Sequence, residues 1–401
     1  MIALNQILFK SGTVSKMIDS ERFREETDSS ILRYVKRDLA VLFWNTTFVC
    51  NLKCIHCYAS ATSHPHPNEL KREEMIDVID DLSSMKLPVI IFSGGEPLLN
   101  PYIYELSEIA TEKGIRSTLS TNGTLIDENV AGKIKDSGFK YVGISLDGMR
   151  EKHDYMRGVK GAFDRSINGL KNIKNVGIMS GVRFTVTKNN YDDLPKLFDL
   201  SLDIGIDRFC VYHLVPSGRG ANVEDIDNKK RREMLDFLIE KTYYVHDEKI
   251  EMEILTVDNP VDGVYAFLKT LKEDEKRARE VYRLLKRRGG DNSGIKAGNI
   301  DPLGYVHPNQ FWWDLNMGNV RERKFSEIWR DGNEIVNDLR KNKTLKLKGK
   351  CARCNFKDIC GGFRLRALRI NGDLWAEDPD CYLTEDEIKT SIPEEWVEKN
   401  G

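Results

Sequence analysis

The 401-residue chain carries 61 lysines and arginines against 63 aspartates and glutamates, a formal net charge of −2, so no global field draws it to nucleic acid. Apolar residues make up 40%, enough for a sizeable core, yet no run approaches the roughly 18 consecutive apolar residues of a membrane span. The length exceeds a usual domain of about 100–200 residues and predicts one large α/β unit with an appendage.

The first 37 residues read as an N-terminal extension. They lack the basic, apolar and small-residue regions of a secretory signal, so a cytoplasmic location is expected. From residue 40 to 213, short β-rich runs alternate with amphipathic helical stretches, the pattern of parallel βαβ units. Six strands are predicted, at 41–45, 88–92, 115–120, 139–145, 182–187 and 208–213. Between the first two, residues 72–85 place Met75, Ile76, Ile79, Leu82 and Met85 on one helical face. Asn100 before Pro101 predicts a helix N-cap, and Gly138 a stop for the helix that starts near Asp127. Six such repeats fit a partial parallel barrel or a doubly wound sheet, and in both the ligand sites lie at the C-terminal strand ends.

Beyond residue 224 the chain turns charged and helical, and 273–288 reads as a solvated helix. Gly, Asn, Pro and aromatic residues then dominate from Gly289 to Trp313. The expected domains are a barrel at 38–250, a bridging segment at 251–345, a compact cysteine module at 346–385 and a tail at 386–401.

Eight cysteines in a chain of this kind suit metal or catalytic roles better than disulfides. Cys50, Cys54 and Cys57 offer three thiolates from one loop after the first strand, and three ligands leave a fourth position open, as a substrate-binding iron requires. His56 within the loop keeps a closed zinc site in play. Gly94, Gly95 and Glu96 end the second strand, where the glycines permit close backbone approach and the carboxylate suits an ammonium group. Asn122 ends the third strand. Ser145 and Asp147 end the fourth, with Arg157 twelve residues beyond Ser145. Together these groups suit an amino acid carboxylate, an ammonium and a ribose. Cys351, Cys354, Cys360 and Cys381 form a second group able to close a site, for which zinc is again the alternative.

CNLKCIHC, SGGEP, STNG and SLDG, in this order, resemble the radical S-adenosylmethionine enzymes. The resemblance implies a partial (β/α)6 barrel whose three cysteines hold a [4Fe-4S] cluster that binds S-adenosylmethionine. It gives the methionine amine to Gly94, Gly95 and Glu96, the carboxylate to Ser145 and Arg157, and the nucleoside to Asn122 and Asp147. The C-terminal cysteines resemble a SPASM or twitch module and imply a second [4Fe-4S] cluster. The segments 299–312, 318–323, 328–329, 364–367 and 372–382 resemble the siroheme-modifying members of heme biosynthesis.

That narrower resemblance implies an iron tetrapyrrole substrate, an external one-electron donor, and removal of both acetates of 12,18-didecarboxysiroheme to give Fe-coproporphyrin III. Loss of propionates, as in heme d1 biosynthesis, is the alternative. Arg364, Arg366 and Arg369 are candidates for pairing with substrate carboxylates, against a reading as ordinary surface arginines. Tyr212 and His213 are expected to face the pocket as catalytic candidates, and His307 is a weaker substrate contact. Cys210 reads as a buried strand residue. A peptide-modifying radical enzyme and a plain iron-sulfur electron carrier are the competing functions.

Overall fold

The computed structural model describes residues 1–11 and 39–396, apart from the side chain of Glu394. Residues 12–37 of the expected extension and 397–401 of the expected tail lie outside them. The described residues form two compact units: residues 39–225 with 293–339, and residues 1–11 with 226–292 and 340–396. Their strands, in chain order, are β1 (Ile2–Ala3), β2 (Val41–Asn45), β3 (Val89–Ser93), β4 (Arg116–Thr121), β5 (Tyr141–Ser145), β6 (Met179–Val186), β7 (Arg208–His213), β8 (Glu253–Val257), β9 (Ala297–Ile300) and β10 (Val306–His307).

In the first unit β2 to β7 pair in sequence order and all in parallel. A doubly wound sheet reverses its order at a switch point, whereas this order never reverses, as in a barrel. The other edge of β2 is taken by β9, also parallel, and β10 turns back antiparallel on β9. All six predicted strands are present, within a few residues of their expected ends. Strand β9 was not foreseen: it is four residues long and contains Gly298, where a Cβ would come within 2.6 Å of the Trp329 ring. Tight packing, rather than β propensity, sets that residue.

The helix Arg72–Ser84 buries Met75, Val78, Ile79 and Leu82, so Val78 faces inward where Ile76 was expected. Each such aliphatic side chain stabilises the fold by about 1.5–3 kcal/mol. Asn100 does not cap a helix directly; its carboxamide accepts from the Tyr102 N–H at 2.9 Å and the helix begins at Ile103. Gly138, at φ +84°, follows the Glu128–Asp136 helix as expected.

In the second unit β1 pairs antiparallel with β8. The charged stretch is two helices, Val261–Glu273 and Glu275–Arg288, divided at Asp274, whose side chain caps the second. That second helix buries Ala278, Val281, Tyr282 and Leu285, so it is amphipathic rather than solvated all round.

Candidate active site

The loop after β2 that carries Cys50, Cys54 and Cys57 is fastened from several strand ends. The Gly95 N–H donates to Thr47 O and the Glu96 N–H to Val49 O, each at 2.7 Å. A Cβ on Gly95 would sit 2.3 Å from Val49 O, so this glycine lets two backbone segments of the protein itself meet. Cys50 N donates to Thr62 O at 2.8 Å and closes the loop. From beyond β7, Arg219 donates through Nε to Cys54 O at 2.8 Å and through Nη1 to Ala61 O at 3.0 Å. Arg219 was missed in the sequence; its one signal is an arginine between two glycines just past a strand end.

Backbone N–H groups of Leu52 and Ala61 donate to Sγ of Cys50 and Cys57, both at 3.4 Å. Arg157 Nη1 lies 3.6 Å from Sγ of Cys54. Burial pushes the Cys50 thiol up to about 12 and raises Cys54 as well. Thiols so placed ionise when a cation compensates them, and N–H donors aimed at sulfur are the surroundings of iron-sulfur ligands. Among the described residues no three His, Cys, Asp or Glu side chains converge as a lone ion requires. A cubane instead offers each thiolate its own iron corner, so the residues present fit such a cluster.

His56 does not join the thiols. Its Nε2 is 3.0 Å from Asp147 Oδ2, which commits the ring to a carboxylate. Asp147 is fully buried; its Oδ1 accepts from the Thr185 N–H at 3.1 Å, and Oδ2 also meets Arg157. Burial alone would raise this carboxyl, but Arg157 and His56 hold it well below the usual carboxylate range. Asp147 thereby braces Arg157 and His56. Burial, with Arg157 nearby, lowers His153 to about 3, and its neutral Nδ1 accepts from the Asp147 N–H at 3.1 Å.

Glu96 is fully buried, and its carboxylate accepts from Thr121 Oγ1 at 2.7 Å, Asn122 N at 2.8 Å and Leu98 N at 3.2 Å. Burial raises its pKa against these bonds. Asn122 Nδ2 donates to Asn51 Oδ1 at 2.9 Å and lies 4.0 Å from Sγ of Cys50, so the turn after β4 touches the cysteine loop. Ser145 ends β5 and is half-buried.

Tyr212 and His213 are neighbours on one strand and so point to opposite faces. Phe209, on the same face as His213, packs edge-on against Phe198 of the helix Leu194–Ile204. His213 therefore lies on the helix-facing side and only Tyr212 faces the interior, which corrects the expectation for the pair. His307 is held by Asp301 Oδ2 at 3.2 Å and Leu315 O at 3.0 Å and stacks on Trp313, a packing role. Cys210 is buried in β7 as expected.

In the second unit Cys351, Cys354, Cys360 and Cys381 line one hollow, walled by Val261, Val264, Leu383 and Ile388 with Lys350 and Lys357. The backbone N–H groups of Asp378, Phe356 and Gly362 donate to Sγ of Cys351, Cys354 and Cys360, each at 3.4 Å. Burial raises all four thiols, Cys381 to about 11. Four thiols around one hollow, not drawn together as a lone ion would require, fit the four corners of a fully ligated cluster.

Two of the three arginines expected to meet substrate instead build this module. Arg364 and Arg366 are fully buried. Arg364 donates to Leu374 O and Ala376 O at 3.1 and 2.7 Å and lies 3.8 Å from Sγ of Cys351. Arg366 pairs with Asp380 at 2.6 Å and Asp378 at 3.5 Å. Arg369 is exposed. Sequence alone could not separate buried from surface arginines.

The fold and both sets of thiols define a class. The radical SAM superfamily matches residues 44–201, and SPASM, an iron-sulfur cluster-binding domain, matches residues 294–355. The chain belongs to the radical SAM superfamily and is an enzyme that uses S-adenosylmethionine and a [4Fe-4S] cluster, with further iron-sulfur binding in its SPASM part. It is similar to Fe-coproporphyrin III synthase of Methanosarcina barkeri, 45% identical over 97% of this chain and 99% of that one. Pre-heme d1 synthase of Dinoroseobacter shibae is 39% identical over 88% of each chain. Streptococcus suis SuiB bound to S-adenosylmethionine shares the fold, with a TM-score of 0.68 at 19% identity over 94% of this chain and 89% of that one.

Proposed function

We propose that this enzyme removes both acetate side chains of 12,18-didecarboxysiroheme to give Fe-coproporphyrin III. The observation that carries the reading is the end-to-end likeness to a synthase of that product. In this reading Cys50, Cys54 and Cys57 hold the cluster at which S-adenosylmethionine binds, and Cys351, Cys354, Cys360 and Cys381 hold the second. Arg157, braced by Asp147 and set against Cys54, and Ser145 at the end of β5 take the methionine carboxylate. Gly94, Gly95 and Glu96 shape the cysteine loop and the ammonium side of the site.

The bound cluster and S-adenosylmethionine supply a 5′-deoxyadenosyl radical. A saturated ring carbon bearing a propionate gives up its one hydrogen atom to that radical and keeps an unpaired electron. The bond from the adjacent ring carbon to its acetate then breaks homolytically, and a ring double bond forms. The departing fragment takes one electron and one proton and leaves as acetate. Each acetate thus consumes one S-adenosylmethionine and two electrons from an external one-electron donor, a partner this reading requires. Cytoplasmic residence and no nucleic-acid role accompany the proposal; no helix among the described residues is long and apolar enough to cross a membrane.

Anaerobic turnover of didecarboxysiroheme deuterated at the two ring positions tests the reading, with deuterium expected in 5′-deoxyadenosine and acetate loss in the product. Loss of propionates with acetates retained would move the assignment to the heme d1 reaction.

A further inference from the structure

We infer that Arg183 is the anchor for a carboxylate side chain of the tetrapyrrole, a site that rests on the functional reading above. Arg183 lies on β6 between Val182 and Phe184, both fully buried, so it takes the opposite face to theirs, the one turned to the barrel interior. Its guanidinium donates to Ser120 Oγ of β4 and its Cζ stands 4.8 Å from the ring centre of Tyr212 on β7. A group on β6 that meets both β4 and β7 reaches across the sheet's concave side.

The interior is hollowed for this side chain. A Cβ on Gly143 would lie 2.7 Å from Arg183 Cδ, and one on Gly181 would lie 2.2 Å from the Tyr141 hydroxyl. Gly143 leaves room for the Arg183 stem and Gly181 for the Tyr141 hydroxyl, room that ordinary strand residues would fill. The walls are tyrosines, whose flat faces suit a conjugated macrocycle.

Charge compensation makes the case. Among the described residues the buried Arg157 meets Asp147, Arg231 meets Asp380, and Arg366 meets Asp378 and Asp380, whereas the half-buried Arg219 and Arg288 are held by carbonyl and carboxamide oxygens. Arg364 has the Cys351 sulfur. Among the described residues Arg183 has a hydroxyl and an aromatic face, with no carboxylate in ion-pair reach. Arg183 is half-buried, and its guanidinium keeps donors that neither the hydroxyl nor the ring takes up; that planar fork matches a carboxylate.

The substrate, rather than S-adenosylmethionine, supplies that anion. The groups placed around S-adenosylmethionine are tied to the cysteine loop, as Asn122 is to Asn51 and Arg157 to Cys54. Arg183 stands opposite Ser145 in the β5–β6 register, but its guanidinium turns from that strand end to Ser120 Oγ. Its stem runs back beside Gly143, two residues before the end of β5, away from the strand ends.

The test is an anaerobic absorbance titration of the reconstituted full chain with 12,18-didecarboxysiroheme, for the parent, Arg183→Lys and Arg183→Gln. S-adenosylmethionine binding is measured separately by equilibrium dialysis. Arg183→Gln is expected to raise the tetrapyrrole Kd at least tenfold and Arg183→Lys only a few-fold, with S-adenosylmethionine affinity unchanged. The methyl-esterified tetrapyrrole should bind the parent at least tenfold more weakly than the free acid, and Arg183→Gln should narrow that gap. An unchanged Kd in Arg183→Gln, or a loss confined to S-adenosylmethionine, overturns the anchor while leaving the proposed function standing. Should Arg183→Gln fail to fold, the esterified compound decides on the parent and Arg183→Lys: equal affinity for ester and acid overturns it. A parent protein that binds no tetrapyrrole overturns the functional reading itself.

Discussion

His56 Nε2 and Asp147 Oδ2 stand 3.0 Å apart, joining the cysteine loop to the end of β5. The ring is thereby occupied with a carboxylate, so His56 should be dispensable as a metal ligand. His56→Gln is expected to keep its iron and lose about 1–3 kcal/mol of stability, the cost of a buried polar partner left unpaired. Elemental analysis with thermal melts checks this. Zinc in the parent together with its loss in the variant would restore the zinc site.

Cys54 is the most buried of the three loop thiols, and Arg157 points at it. Cys54→Ala should abolish reductive cleavage of S-adenosylmethionine and remove about four irons. Replacing Cys351 and Cys354 together should remove a similar number while sparing the first cluster. Iron counts and product assays decide both, and cleavage at the parental rate by Cys54→Ala would refute the cluster assignment.

Arg364 carries its charge beside Cys351 with no carboxylate pairing its guanidinium among the described residues. A fixed positive charge favours the reduced, more negative form of a cluster. Arg364→Gln should therefore lower the midpoint potential of the C-terminal cluster by roughly 60 mV, a tenfold change for one electron. Potentiometric titration followed by electron paramagnetic resonance measures it, and an unmoved potential rejects the role.

Gly95 admits no Cβ, since Val49 O lies 2.3 Å from where it would sit. Gly95→Ala must displace the backbone next to Cys50 and should cost about 2–4 kcal/mol. Loss of the first cluster with the second retained is expected, visible as halved iron.

Arg232 grips Glu387 at 2.6 and 2.9 Å, and this contact lowers the Glu387 pKa. A depressed carboxyl stabilises the fold above its unfolded pKa of about 4.3, and loses that contribution as pH falls through the lower folded value. Arg232→Met should cost about 1 kcal/mol at pH 7, with the gap to the parent closing below roughly pH 4. Urea melts across pH check it; a gap that stays constant to pH 3 contradicts the linkage.

The local pattern of the chain determined the strands at 41–45 and 208–213, the parallel repeats between them and the identity of both thiol groups, because side-chain alternation and cysteine spacing are written in neighbouring residues. What Arg364, Arg366, His56 and His307 do was decided only by tertiary structure. Each has a partner between six and 91 residues away in sequence, and whether a charged side chain meets solvent or a buried acceptor depends on that partner. The same holds for Gly95 and Gly298, whose lack of a side chain answers to a backbone and a ring brought from other segments. His213 was misread for a smaller reason: strand alternation allows only one of two adjacent residues to face the interior, and the packing of Phe209 on Phe198 shows which.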